Sequence, residues 1–92
     1  MQMSQMTLEE LIDITRAQAG EAEQGVLDGD VIDVLFEYLG YDSVALLEVV
    51  SEIKHRFGVD LSDEAVGSAR TLRKLLALIN QAIDGDVKRR SA

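Results

Sequence analysis

The chain has no cysteine and no proline, and its 92 residues include only two tyrosines, two phenylalanines and no tryptophan. The missing cysteine excludes disulfides, thiolate metal sites and a cysteine nucleophile. A proline-free chain rich in Ala, Leu and Glu favours helix over sheet. No stretch approaches the ~18 consecutive apolar residues of a transmembrane helix. The opening "MQMSQMTLEE" lacks the basic region and apolar run of a signal peptide. The expected compartment is therefore the cytoplasm, with no membrane association. Positive charge is also scarce: nine Lys and Arg stand against 17 Asp and Glu, for a net charge of −8. Between Ala17 and Ile53 there is no Lys or Arg, whereas Glu21, Glu23, Asp28, Asp30, Asp33, Glu37, Asp42, Glu48 and Glu52 fall in that window. Such a surface repels phosphate backbones and argues against nucleic acid as a partner. It would steer basic proteins toward itself, or serve only to keep a small domain soluble.

What is present is aliphatic. Hydrophobic residues make up 47% of the chain, enough for one small packed domain. Thr7, with Glu10 three residues on, has the form of a capping box opening a helix. Leu8, Leu11, Ile12, Thr15 and Ala19 follow on one face, and Gly20 is the expected stop. Residues 20–42 form a long acidic connection, in which "VIDVLFEYL" (Val31 to Leu39) is apolar enough for a short helical turn. Val31, Val34, Leu35 and Phe36 are expected to reach the core, and Gly40 to end the turn at positive φ. A second helix begins at Asp42 or Ser43, either of which can cap it, and runs to Phe57 before Gly58. A short third helix is expected between Asp63 and Ser68. A last helix, capped by Thr71, presents Leu72, Leu75, Leu76, Ile79 and Ile83 and stops at Gly85. The expected organisation is a single domain over residues 1–85 and a disordered polar tail over 86–92.

The second helix carries more apolar residues than one face can bury. At ~100° per residue, Leu46, Val49, Val50, Ile53 and Phe57 share a stripe, the core face. Val44 and Leu47 fall to one side, beside Glu48, Ser51 and Lys54. Either the long first connection folds over them, or they are single exposed aliphatics, or they form a partner surface with an apolar centre and a charged rim.

Ser43, at the tip of that helix, allows several readings. A nucleophile needs a base within hydrogen-bond reach. The only histidine, His55, lies twelve residues on in the same helix, about 18 Å along its axis at ~1.5 Å per residue. The surroundings are also not G-x-S-x-G, so serine hydrolysis is excluded and His55 reads as an exposed polar residue. Ser43 can be a plain cap; if Asp42 caps instead, its hydroxyl is spare. A phosphodiester attached there would meet free backbone N–H groups and the positive end of the helix dipole. A metal role fails on spacing. Asp28, Asp30 and Asp33 give D-x-D-x-x-D, whereas a calcium loop needs acids at positions 1, 3 and 5 and Glu at 12. No dedicated metal site is expected.

The stretch "FEYLGYDSVALLEVVSEIKHRFGVDLSDE", with Gly40-Tyr41-Asp42-Ser43 at the start of its helix and the later "TLRKLLALIN", resembles the acyl carrier proteins. The likeness extends in register from about Leu8 to Ile83. It implies an all-α fold, a small four-helix bundle with three main helices, one short helix and a long first loop. It implies that Ser43 carries 4′-phosphopantetheine through a phosphodiester, added from coenzyme A by a phosphopantetheinyl transferase. The arm's thiol would hold acyl or polyketide chains as thioesters, delivered to a ketosynthase, an acyltransferase and tailoring enzymes with no catalysis by the carrier. Asp42 would be the acid preceding the modified serine, and Val44, Leu47 and Glu48 would lie on the partner-recognition helix. A shuttle of this kind is expected to be a monomer.

"LGYDSVALLE" and "GVDLSDEAVG" look most like the stand-alone carriers of type II, aromatic polyketide synthases and so point to antibiotic biosynthesis. Fatty-acid carriers more often have a small residue where Tyr41 stands. Val44 departs from the usual leucine, which bears on partner preference. The alternatives are a fatty-acid or polyene-pathway carrier, or an unmodified acidic helical adaptor. The cleft between the second and third helices, near Val66, is expected to shelter part of a bound chain.

Overall fold

A computed structural model of the chain describes residues 5–20 and 29–91, except for the side chains of residues 29, 30 and 86–91. Its order is α1 (Leu8–Ala19), two 3₁₀ turns η1 (Gly29–Asp33) and η2 (Phe36–Leu39), α2 (Ser43–Phe57), α3 (Asp63–Ser68) and α4 (Leu72–Ser91). The described residues are thus helical, as expected, and contain no strand.

α1 opens on the expected capping box. The Thr7 hydroxyl accepts from the Glu10 N–H at 3.1 Å, and the Thr7 N–H donates to Glu10 Oε1 at 2.9 Å. Leu11, Ile14 and Thr15 are its buried residues. Ile14 lies outside the stripe read from the sequence, because α1 packs against both α2 and α4 and so buries a wider face. The Thr15 hydroxyl, 1% exposed, is satisfied by donating to Leu11 O at 2.8 Å. In front of the helix, Met6 is held to α4: its N–H donates to Asn80 Oδ1 at 2.7 Å, and Asn80 Nδ2 donates to its carbonyl at 3.1 Å.

Val31, Val34 and Phe36 reach the core from the connection, as expected. Leu35 is only half-buried; instead it forms a single antiparallel bridge with Thr71. Leu39, not among the expected core residues, is buried. The Phe36 N–H donates to Arg70 O at 2.9 Å, so this connection is tied by its backbone to the α3–α4 link. Two exposed ion pairs flank the tie. Arg73 Nε donates to Asp33 Oδ1 at 2.6 Å and its Nη2 to Oδ2 at 3.2 Å, while Arg70 pairs with Glu37. The Arg73 hydrogen bond holds the Asp33 carboxyl below its ordinary pKa and raises that of Arg73.

The bounds of α2 and α3 agree with the sequence reading. Gly58 ends α2 at φ +65, where a side chain would be strained, and its N–H donates to Lys54 O at 2.8 Å. In α4, Leu72, Leu75, Ile79 and Ile83 are buried and Leu76 is half-buried. The expected stop at Gly85 is incorrect. The backbone continues as helix through residues 86–91, where a separate disordered tail was expected, and Ala92 lies outside the described residues. A glycine stops a helix by taking positive φ, and Gly85 is not among the glycines that do so. Left in helical φ, it costs only about 1 kcal/mol relative to Ala. The basic residues at 88–90 stand at the end of the helix that favours positive charge.

Candidate functional site

Tyr41, Asp42 and Ser43 join η2 to α2, and each is placed differently. Gly40, in left-handed conformation at φ +89, ends η2 and turns the chain toward α2. Asp42 is extended and caps α2: its carboxylate accepts from the Ala45 N–H at 2.9 Å, and its carbonyl accepts from Leu46 N at 3.1 Å. Ser43 is the first helical residue and is exposed. Of the two caps the sequence offered, Asp42 takes the role. Among the described residues, neither the Ser43 hydroxyl nor the N–H groups of Ser43 and Val44 find a protein partner. This is the arrangement in which an anion tethered at Ser43 is met by free donors and by the helix dipole.

Val44 and Leu47 are 65% and 52% exposed, and Glu48 is exposed one residue beyond. The first connection therefore leaves both aliphatics uncovered by any described residue. Among the described residues, Tyr38 in η2 is the other large apolar side chain with comparable exposure, at 64%. The sequence reading missed it, because a tyrosine in an apolar run looks like core and its direction depends on the 3₁₀ turn. His55 is exposed near the far end of α2, away from Ser43.

A cleft of about 480 Å³ opens at Ser43 between η2, α2, α3 and the α3–α4 link. Phe36, Tyr41, Leu46, Val66 and Ala69 supply its apolar wall, while Glu37, Asp42, Asp63 and Arg70 bring charge to it. Ser43 and Leu47 both border it, so the candidate tether and one candidate docking residue share the cleft with Val66. Tyr41 also lines the cleft; the sequence marked it only as a larger residue than fatty-acid carriers more often have there. Of the D-x-D-x-x-D acids, Asp28 and the side chain of Asp30 lie outside the described residues, and Asp33 is paired with Arg73. Among the described residues no group of three His, Asp or Glu side chains could hold a metal ion, and no helix is long and apolar enough to cross a membrane.

Comparison with known proteins gives this geometry a family. The family model described as "Phosphopantetheine attachment site" matches residues 9–79. The oxytetracycline polyketide synthase acyl carrier protein of Streptomyces rimosus is 46% identical over 83 residues, covering 90% of this chain and 87% of the relative. Among solved structures, the solution structure of oxytetracycline acyl carrier protein superposes with a TM-score of 0.78 at 45% identity, covering 91% of this chain and 88% of that one. The actinorhodin holo acyl carrier protein of Streptomyces coelicolor does so at 0.77 and 37% identity, covering 91% and 98%. The chain belongs to the phosphopantetheine attachment-site family, among the acyl carrier proteins of type II polyketide synthases. Its fold is the helical bundle of these carriers, its prosthetic group is 4′-phosphopantetheine, and its work is to carry acyl intermediates.

Proposed function

We propose that Ser43 is the residue to which 4′-phosphopantetheine is attached and that growing polyketide chains travel on this arm between separate synthase enzymes. The observation that carries the assignment is the division of labour at the helix tip. Asp42 caps α2 by accepting the Ala45 N–H, leaving the Ser43 hydroxyl exposed and without a partner among the described residues. The arm supplies a terminal thiol, which holds acyl groups as thioesters. This chain contributes the attachment oxygen, the free N–H groups of Ser43 and Val44 facing the phosphodiester, and the surface that partners grip.

That surface is Val44, Leu47 and Glu48 around the tether. The transferase, the ketosynthase, the acyltransferase and the tailoring enzymes would each dock an apolar pocket rimmed by basic residues there, in turn and reversibly. The carrier adds no catalytic group, since a general base must lie within hydrogen-bond reach and His55 sits about 18 Å along α2 from Ser43. The single carrier domain acts as a monomer, because each partner must be able to release it. The cleft beside Ser43 offers the chain partial shelter from water.

Intact mass tests the assignment. Apo protein incubated with coenzyme A, magnesium and a broad-specificity phosphopantetheinyl transferase should gain one phosphopantetheinyl group, and Ser43→Ala should gain none. A folded apo protein that gains nothing would leave an unmodified acidic adaptor as the better description.

A further inference from the structure

The cleft has a rim and a floor. Its exposed lining residues, Ser43, Leu47, Asp63 and Arg70 among them, form the rim. Phe36 and Tyr41 also line it, yet they are only 3% and 5% exposed and belong to the core cluster. A residue that lines a cleft and is also part of the core is a partition between them. Tyr41 is moreover two residues from Ser43, and both line the cleft.

We propose that Tyr41 is the specificity-determining residue of this cleft: its ring closes the inner end and limits how much of a tethered chain can be taken up. The inference rests on the assignment of Ser43 as the tether. Tyr41 is held through its ring, its hydroxyl and its backbone. It meets the Phe36 ring edge-on, with centroids 6.4 Å apart and planes at 67°. Its hydroxyl donates to the carbonyl of Gly20, the C-cap of α1, at 2.7 Å. Its own N–H donates to Phe36 O at 3.1 Å.

A chain that pushed past the ring would have to part it from the Phe36 edge and break its bond to the Gly20 carbonyl. Losing both disfavours the opened state roughly five- to a hundred-fold. Each further methylene taken from water returns only about fourfold. Opening is therefore not repaid until roughly one to three more methylenes have entered. The cleft thus takes the part of the chain nearest the thioester, and a chain only slightly longer than the closed cleft holds gains nothing over one that just fills it.

The test uses the full chain and its Tyr41→Leu and Tyr41→Phe variants, each loaded by transferase with butyryl, hexanoyl, octanoyl, decanoyl or dodecanoyl pantetheine and checked by intact mass. The thermal midpoint of each species is then read by circular dichroism. In the unmutated protein the midpoint should rise with chain length and then level off within the series. Tyr41→Phe, which keeps the ring contact but gives up the bond to Gly20, should level off at a shorter length than Tyr41→Leu, which gives up both and should level off later than the unmutated protein. Identical levelling in Tyr41→Leu, levelling as late in Tyr41→Phe as in Tyr41→Leu, or no rise with chain length would each overturn the proposal. A second reading needs no variant to fold: the Gly20 amide shift of the unmutated protein should stay constant up to the chain length at which the midpoint levels off, and movement with shorter chains would refute a closed floor. Failure of any species to gain acyl mass would instead refute the tether at Ser43.

Discussion

Asp42 and Ser43 are adjacent, both polar and both able to cap a helix, yet their replacement should have opposite consequences. The Asp42 carboxylate accepts the Ala45 N–H at 2.9 Å, whereas no described group meets the Ser43 hydroxyl. Asp42→Ala removes a cap, which costs about 1 kcal/mol, or a fall of about 4–8 °C in the thermal midpoint of a domain of this size. Asp42→Asn keeps the acceptor and gives up only the charge at the helix N-terminus, about 0.3–1 kcal/mol at low ionic strength. It should fall between wild type and Asp42→Ala and approach wild type in salt. Ser43→Ala removes an unbonded, exposed hydroxyl and installs a better helix former, so stability should stay within about 0.5 kcal/mol. Attachment should take the reverse order: both Asp42 variants gain the phosphopantetheinyl mass and Ser43→Ala gains none. Urea unfolding of the apo proteins by far-UV circular dichroism measures the first set, and intact mass the second. If Ser43→Ala loses as much stability as Asp42→Ala, the serine is the working cap and the argument from its free hydroxyl is wrong.

The same contacts set further expectations. Leu47→Asp and Val44→Asp replace side chains that are more than half exposed, so unfolding free energies should change by no more than about 0.5 kcal/mol. Loading by the transferase should slow markedly in both, and in the unmutated protein it should slow as salt rises, since acids rim the surface; unchanged loading kinetics would remove these residues from the docking surface. Ile53→Ala empties a site that is 0% exposed in the core and should cost about 2–5 kcal/mol in the same urea experiment. The Arg73 hydrogen bond keeps the Asp33 carboxyl below its ordinary value in the folded state. The folded protein therefore binds fewer protons there than the unfolded one. The pair's contribution is complete above about pH 4 and is lost as pH falls through the lower folded value. Arg73→Gln should flatten that part of the acid-unfolding curve, and an unaltered curve would show the pair to be inert.

Much of this architecture was legible because its signals are local. The Thr7–Glu10 box, the stripe on α2, the Gly58 stop and the Asp63–Ser68 helix each depend on a few neighbouring residues, and all four are found where the sequence put them. Ser43 stood out as a candidate for a related reason, since it stands beside a second cap in a stretch that repeats a family's pattern. The failures are of another kind. Gly85 has the identity of a stop but not its conformation, and its conformation depends on the residues C-terminal to it. Leu39 and Ile14 were missed because their burial depends on which elements pack together. The ties of Asp33 to Arg73 and Glu37 to Arg70 join residues 40 and 33 positions apart, beyond the reach of any periodicity. The cleft is hidden for the same reason, since its wall comes from η2, α2, α3 and the link after α3 together.

Three consecutive residues divide the work of the site. Tyr41 is directed into the core and ties η2 to the end of α1, Asp42 serves the backbone of α2, and Ser43 is left to the solvent. The order matters chemically. A tether on a loop would swing with the loop, but Ser43 is the first residue of a fifteen-residue helix whose opposite face is packed against α1. If Ser43 bears the arm as proposed, its hydroxyl oxygen is held in fixed relation to Val44, Leu47 and the cleft mouth, so a partner that gripped those side chains would also locate the arm. Asp42 must hold the first turn so that Ser43 need not, because a hydroxyl committed to capping would give up its bond whenever it was modified. Modification would then cost the helix its cap just when the partner needs that helix intact. With the roles divided between neighbours, the proposed attachment at Ser43 would leave the fold's own hydrogen bonds untouched, and the apo and holo forms should unfold at similar urea concentrations.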